Sequence, residues 1–500
     1  MLRTSRRPLG AFLIAVLLFT PAALGDLGAR IDRAIRGTAL DGATVGVSVR
    51  DSATNAEIVS VESSTALIPA SNMKLLTTGA ALHILGGDFV FQTKLLSDGE
   101  RLIVRGDGDP AFGDPELLAQ TQIDDRMGLG VEDFLELWVG PVTRNGPGKF
   151  TELIVDDRIF DREFVHDSWP VDQLNRRYCA EVTGLNFHLN VLHFFPRPVE
   201  GRRPSLSSFE PRFSGLQIGN QGTSNSGPND SNTAWVARGL GSNRLTVYGN
   251  VKFEYRVPVP VTLHDMPLLF GQLLRDRLRD SGTSVGAVRR AEEHEQGLTG
   301  EPVAPVITTP IATAILRCNR DSQNLYAEAL LKRCGARMTG QSGTWTNGSA
   351  VLRHAILDRL GTPALVAGVV VADGSGLSRE NRVAPRTLTA WLNTFHQDAL
   401  LGEIFLESLA EPGGRGTLRN RFRNRDLAGA QVQAKSGYIR EVSCLSGFIT
   451  MPDGRRRAFS VMLNDLSTAT HVRRARQLQE EIVTLIARDM AAQGVTLGSD

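Results

Sequence analysis

Ser71 and Lys74 stand three residues apart in PASNMKLLTTGAALHILGG (69–87), at the start of a helical pattern. On a helix, positions i and i+3 are neighbours with Cβ atoms about 5–6 Å apart. An amine at 74 can therefore take the proton of a hydroxyl at 71 and make it a nucleophile. The lysine is itself informative, because only six of the 55 basic residues are lysine (Lys74, Lys94, Lys149, Lys252, Lys332 and Lys435). Arginine keeps its proton in a protein, whereas a lysine ammonium gives its proton up when desolvated. Burial, the positive end of the helix and a second cation would each favour the neutral amine. The first-turn N–H groups lack intrahelical partners, which leaves the Ser71 amide free to hold an oxyanion.

Two more short motifs carry hydroxyls and cations. Ser322-Gln323-Asn324 falls in a polar break between two helical pieces, where the side chains can leave the backbone and enter a cleft. Taken alone, a helix cap explains them equally well. Lys435-Ser436-Gly437 lies in the strand pattern QVQAKSGY, in which Val432 and Ala434 face the core and Gln433, Lys435 and Gly437 face the other side. Lys435 is then the second cation, and Gly437 lets a substrate backbone lie close against an edge strand. The plainer alternative is one solvated lysine on an edge.

The elements that must position these residues follow from pattern. GARIDRAIRG reads as a short helix, TVGVSVRDSATNAEIVSVES as two strands around a polar turn, and 70–85 as a helix bounded by Pro69 and Gly86-Gly87. From about 91 to 260 the character changes. KLLSDGERLIVRG is a hairpin around Asp98-Gly99, ELIVDDRIF a strand, and AWVARG and RLTVYGN a strand pair after the polar loop 220–232. Helical periodicity returns at 267–282, and TTPIATAILRCNRDSQNLYAEALLKRCG gives two helices broken at 319–324. CLSGFITMPDGRRRAFSVMLND is a hairpin turning at Pro452-Asp453-Gly454, and the last helix carries Ala475, Leu478, Ile482, Leu485 and Met490 on one face. The two ends thus predict one discontinuous domain (26–90 and 261–495) with a β-rich insert (91–260) of one or two subdomains. None of the three motifs lies in that insert, so it is expected to be dispensable for acylating Ser71.

Composition narrows the partners. A net charge of +1 without a long charge run argues against nucleic acid as the main partner. Residues 1–25 hold Arg3, Arg6 and Arg7, an apolar stretch from Leu9 to Phe19, then Ala23 and Gly25, the order of a secretory signal peptide. Eleven apolar residues fall short of the ~20 that span a bilayer. The polar ending QGVTLGSD offers no anchor after the last helix. Export to the periplasm without a stable membrane anchor is the expectation. Four cysteines are too few for a disulfide framework, and on a continuous helix Cys318 and Cys334 would stand ~24 Å apart.

With its motifs in the order S-x-x-K, S-x-N and K-S-G, the chain resembles the low-molecular-mass class C penicillin-binding proteins, the D-alanyl-D-alanine carboxypeptidase/endopeptidase family. GDGDP (106–110), AEVTGLNFHLN (180–190), NLYAEALL (324–331) and DGSGLSRENRVAP (373–385) extend the resemblance over residues 30–490. The 251 residues separating Ser71 from Ser322 also match, whereas class A β-lactamases place these motifs much closer.

The resemblance implies an α/β (α+β) penicillin-binding, β-lactamase-like transpeptidase domain with an antiparallel sheet flanked by helices. It implies an enzyme that acts on peptidoglycan stem peptides through an acyl-enzyme, is acylated by β-lactam antibiotics, and uses no cofactor or metal. Ser71 would be the nucleophile, Lys74 its base and Ser322 a proton shuttle. Asn324 would bind the substrate peptide, Lys435 and Ser436 the terminal carboxylate, and the amides of Ser71 and Tyr438 would form the oxyanion hole around Gly437. Gln323 replaces a frequent aspartate, and Ser436-Gly437-Tyr438 replaces Thr-Gly-Thr, so Tyr438 bears on specificity. DGSGLSREN reads as a tight turn with no catalytic role.

Two other readings compete. A β-lactamase or esterase on the same fold would need a device for fast deacylation, and no E-x-x-L-N stretch follows Ser322. A non-catalytic cell-wall scaffold predicts loss of the motifs, which are present. The oligomeric state is open.

Overall fold

In the computed structural model, residues 26–123 and 126–497 are described. Residues 1–25, expected from the sequence to be a signal peptide, lie outside them. The two ends of the chain meet in one five-stranded antiparallel sheet, in the order Gln431–Ile439, Val442–Thr450, Arg456–Asn464, Thr44–Asp51 and Glu57–Val61. Its strands alternate, as a period of two requires. Leu445, Ile449, Phe459, Val461 and Leu463 point to one core, shared with Ile31 of the helix Leu27–Gly37 and with Leu478, Ile482 and Met490 of the helix Ala469–Leu497. Cys444, Phe448, Ala458 and Met462 point the other way, toward Leu75, Leu76, Ile315, Leu330 and Trp391. The sheet is thus covered by helices on both faces.

The helix Met73–Leu85 is buried on nearly every side and begins as the 3₁₀ turn Ala70–Asn72. Asn72 ties that turn to the sheet, its Nδ2 donating to Ser446 Oγ at 2.6 Å, while Ser446 donates to Ser460 Oγ at 2.8 Å. Gly86 ends the helix with φ +92°, a conformation glycine adopts without strain.

The middle section is less purely β than its sequence suggests. Its main sheet runs Ser284–Arg290, Lys149–Asp156, Arg101–Arg105, Val90–Ser97 and Glu301–Pro302, with Ile307–Pro310 also on Val90–Ser97. Two of these neighbours pair in parallel, Ser284–Arg290 with Lys149–Asp156 and Lys149–Asp156 with Arg101–Arg105. Two helices, Val131–Asn145 and Met266–Asp280, share its core of Phe112, Trp138, Phe150, Phe187 and Phe270. The stretch 266–310, expected with the catalytic part, therefore builds the middle section, because its helix and strands bury their apolar faces there. All four cysteines are buried and free. Cys318 and Cys334 sit on separate helices, Ile311–Arg320 and Asn324–Thr339.

Candidate active site

Three elements converge on Ser71. Gly437, on the edge strand, faces the 3₁₀ turn so closely that an added Cβ would lie 2.9 Å from Pro69 O and 3.1 Å from Ser71 N. Gly376 is tighter still, with φ +82° and Ala70 O 1.7 Å from where a Cβ would stand. Two non-glycine residues flanking the site, Ala70 (φ 46°) and Ser322 (φ 60°), hold left-handed backbone. Such strain persists where the surroundings over-determine it.

Lys74 is fully buried, and its Nζ lies 3.2 Å from Ser71 Oγ, 2.7 Å from Asn324 Oδ1 and 2.8 Å from Ser375 O. Among the described residues no carboxylate is within ion-pair distance of it. Burial pushes its pKa below the usual lysine value, against the more distant pull of Cys318, Glu328 and Asp373. A neutral amine has two N–H groups and one lone pair. With Asn324 Oδ1 and Ser375 O taking the two hydrogens, the lone pair is left for the Ser71 hydroxyl.

Lys435 is also fully buried, donating to Ser322 Oγ and to Ser436 O, each at 2.8 Å. Desolvation, and after it the charge of Lys74, hold its pKa well below the ordinary range. The geometry thus pairs each buried lysine with a serine. The edge strand is open alongside: Ala434 exchanges N–H···O bonds with Ala410 on the side away from Val442–Thr450. By the two-residue period Ser436 and Tyr438 turn their backbone N–H and C=O groups to that same edge, beyond the reach of Ala410. All eight residues singled out from the sequence (Ser71, Lys74, Ser322, Asn324, Lys435, Ser436, Gly437 and Tyr438) come together here.

Four contributors were not singled out as site residues from the sequence. The Ser375 carbonyl reaches Lys74 because Glu328, buried in the helix Asn324–Thr339, accepts from Gly374 N at 2.9 Å, Ser375 N at 2.8 Å and Trp345 Nε1 at 2.9 Å. Burial and the nearby Asp373 push the Glu328 carboxyl up to about 7. DGSG is the expected tight turn, with Asp373 accepting from Gly376 N and Ser378 N, and it also delivers this acceptor to the site. From the middle section, the Tyr178 carbonyl accepts from Asn324 Nδ2 at 2.8 Å, and Trp169 Nε1 donates to Asp373 at 2.9 Å. The middle section therefore touches the site, which the expectation of a dispensable insert did not include.

A match to the D-Ala-D-Ala carboxypeptidase 3 (S13) family model spans residues 27–488, nearly the whole described chain. The chain belongs to the S13 family. Its relatives include the D-alanyl-D-alanine carboxypeptidase of Actinomadura sp. (strain R39), 30% identical over 472 residues, covering 89% of this chain and 82% of that protein. The D-alanyl-D-alanine carboxypeptidase DacB of Haemophilus influenzae is 24% identical over 483 residues, 92% of each chain. The crystal structure of penicillin binding protein 4 (dacB) from Haemophilus influenzae has the same fold, with a TM-score of 0.72 at 21% identity over 91% of this chain and 99% of that one. The S13 family is one of serine carboxypeptidases, and the penicillin-binding-protein fold expected from the sequence is the fold observed. No helix among the described residues is long and apolar enough to cross a membrane.

Proposed function

We propose that the protein is an exported, periplasmic serine DD-peptidase that removes the terminal D-alanine of peptidoglycan stem peptides through an acyl-enzyme on Ser71. One observation carries this reading: a buried lysine with no carboxylate within ion-pair distance among the described residues, 3.2 Å from a serine hydroxyl at a helix start. Lys74 takes the Ser71 proton as Oγ attacks the penultimate D-alanine carbonyl, and the oxyanion accepts from the amides of Ser71 and Tyr438. Ser322, hydrogen-bonded to Lys435, passes a proton to the leaving amine, and the C–N bond breaks. Water then attacks the ester, which returns Ser71. Asn324 orients Lys74 and the substrate peptide, and Ser436 with Lys435 marks the carboxylate end.

A β-lactam presents a strained amide and a carboxylate to the same groups, so it acylates Ser71 too. A Haemophilus influenzae penicillin binding protein 4 of this fold has been solved complexed with a β-lactam. The catalytic part comprises the two chain ends, and the packing of 266–310 supports moving its boundary from 261 to near Pro310.

Incubating the purified protein with muropeptides, followed by product mass analysis, tests this. Loss of one terminal alanine from pentapeptides is expected, and conversion of cross-linked dimers to monomers would add endopeptidase activity. Unchanged muropeptides would refute the proposal.

A further inference from the structure

Two clefts meet at Ser71, Ser322 and Tyr438. The larger, about 870 Å³, extends past Tyr178 and Arg379. The smaller, about 320 Å³, continues to Thr417, Arg421, Ser436 and Arg476. The smaller cleft has well under half the volume of the larger and room for a small amino acid.

Its two guanidinium groups differ. Arg421 is committed, bonding to the Glu480 carboxylate and to Arg476 O. Arg476, in the helix Ala469–Leu497, is exposed, and among the described residues it has no ion-pair partner. Its guanidinium lies over the Tyr438 ring, 5.2 Å from the centroid, a cation–π distance. Tyr438 is one of the two residues by which this chain departs from Thr-Gly-Thr, and its half-exposed ring takes up the arginine.

Lys435, the motif cation at the carboxylate end, is a weaker anion partner than a free guanidinium. Lys435 is buried, already donates to Ser322 Oγ and Ser436 O, and is driven toward its neutral form. Arginine keeps its charge at any working pH and meets a carboxylate with two parallel N–H groups.

We infer that Arg476, held by Tyr438 and backed by Arg421, binds the C-terminal carboxylate of the leaving residue in the smaller cleft, with the Ser436 hydroxyl as a second donor. The larger cleft then receives the acyl portion of the peptide. This rests on the DD-peptidase reading and assigns a partner for the carboxylate that the three motifs do not contain.

The test uses a stem-peptide mimic ending in D-Ala-D-Ala and the same peptide with a C-terminal amide. The quantity read is the ratio of their kcat/KM values in wild type and Arg476→Gln, with thermal melts to establish that both are folded. A charge-assisted hydrogen bond predicts that the substitution lowers the carboxylate-to-amide ratio by about 10–100-fold. A ratio unchanged by the substitution would overturn the inference and leave the carboxylate to Ser436 and Lys435. Equal losses on both peptides would also overturn it, since Arg476 would then act only through structure. If wild type cleaves neither peptide and takes no penicillin on Ser71, the peptidase reading falls and this inference falls with it.

Discussion

Lys74 and Lys332 are both wholly buried, and desolvation lowers the pKa of each. Lys332 donates to Asp161 Oδ1 at 2.6 Å and Glu163 O at 2.7 Å, and its ammonium sits 3.6 Å from the Trp345 ring centroid. Carboxylate, carbonyl and aromatic face all favour the charged form, so Lys332 is a structural cation linking the helix Asn324–Thr339 to the middle section. Lys74 has a hydroxyl, an amide oxygen and a carbonyl, all neutral. Burial alone does not make a base of a lysine. The difference lies in whether a full negative charge is within reach.

The comparison can be broken first at the acceptor of the chemistry. Ser71→Ala removes the group that Lys74 would activate. Intact-mass spectrometry should show a penicillin adduct on wild type and none on the variant, a complete loss. An adduct of equal yield would move the nucleophile elsewhere.

Asn324→Asp would give Lys74 the kind of partner Lys332 has. A carboxylate in the place of Oδ1, 2.7 Å from Nζ, raises the lysine pKa. The neutral amine then forms only at higher pH. Acylation at neutral pH should fall on the order of 10²-fold, within the range for loss of a general base. It should recover as pH rises, so that the rising limb of the pH–rate profile moves upward. A limb that stays in place would mean that Lys74 does not set it.

Asp161→Asn makes the reverse change. It leaves the Lys332 ammonium buried without its carboxylate, which should cost about 3–5 kcal/mol of stability. Urea melts would measure this. Acylation of the folded variant should stay within about threefold of wild type, a gap of under ~1 kcal/mol. A larger loss would show that Lys332 also acts on the site.

How much of this was legible in the sequence follows from what kind of atom each contact uses. Side chains whose chemistry is set by type were readable: Ser71 and Lys74 by helical spacing, Ser322 and Asn324 by their place in a helix break, Lys435 and Gly437 by strand alternation. Pro69, Gly86 and the turn at Asp453-Gly454 marked element ends through their backbone preferences. The Ser375 and Tyr178 carbonyls carry no such mark, because any residue can supply a backbone oxygen. Glu328 lay within a helical pattern that gave no reason to single out a carboxylate held by two amides. The helix Val131–Asn145 lies in the stretch expected to be β-rich, although Val131, Leu135, Trp138 and Val142 repeat at helical spacing. The parallel pairing of Lys149–Asp156 with Ser284–Arg290 joins stretches over a hundred residues apart, beyond what local periodicity reports.

The central claim is that Lys74 acts as a neutral base, and Lys74→Arg tests it most directly. Arginine preserves the charge and the ability to donate to Asn324 Oδ1 and Ser375 O, but with a pKa above ~12 it has no neutral fraction with which to deprotonate Ser71. Stopped-flow acylation by a chromogenic cephalosporin, with melts of both proteins, should show a loss of about 10²–10⁴-fold in a folded variant. An arginine variant that acylates within about threefold of wild type would make Lys74 purely electrostatic and assign the base to Ser322 with Lys435.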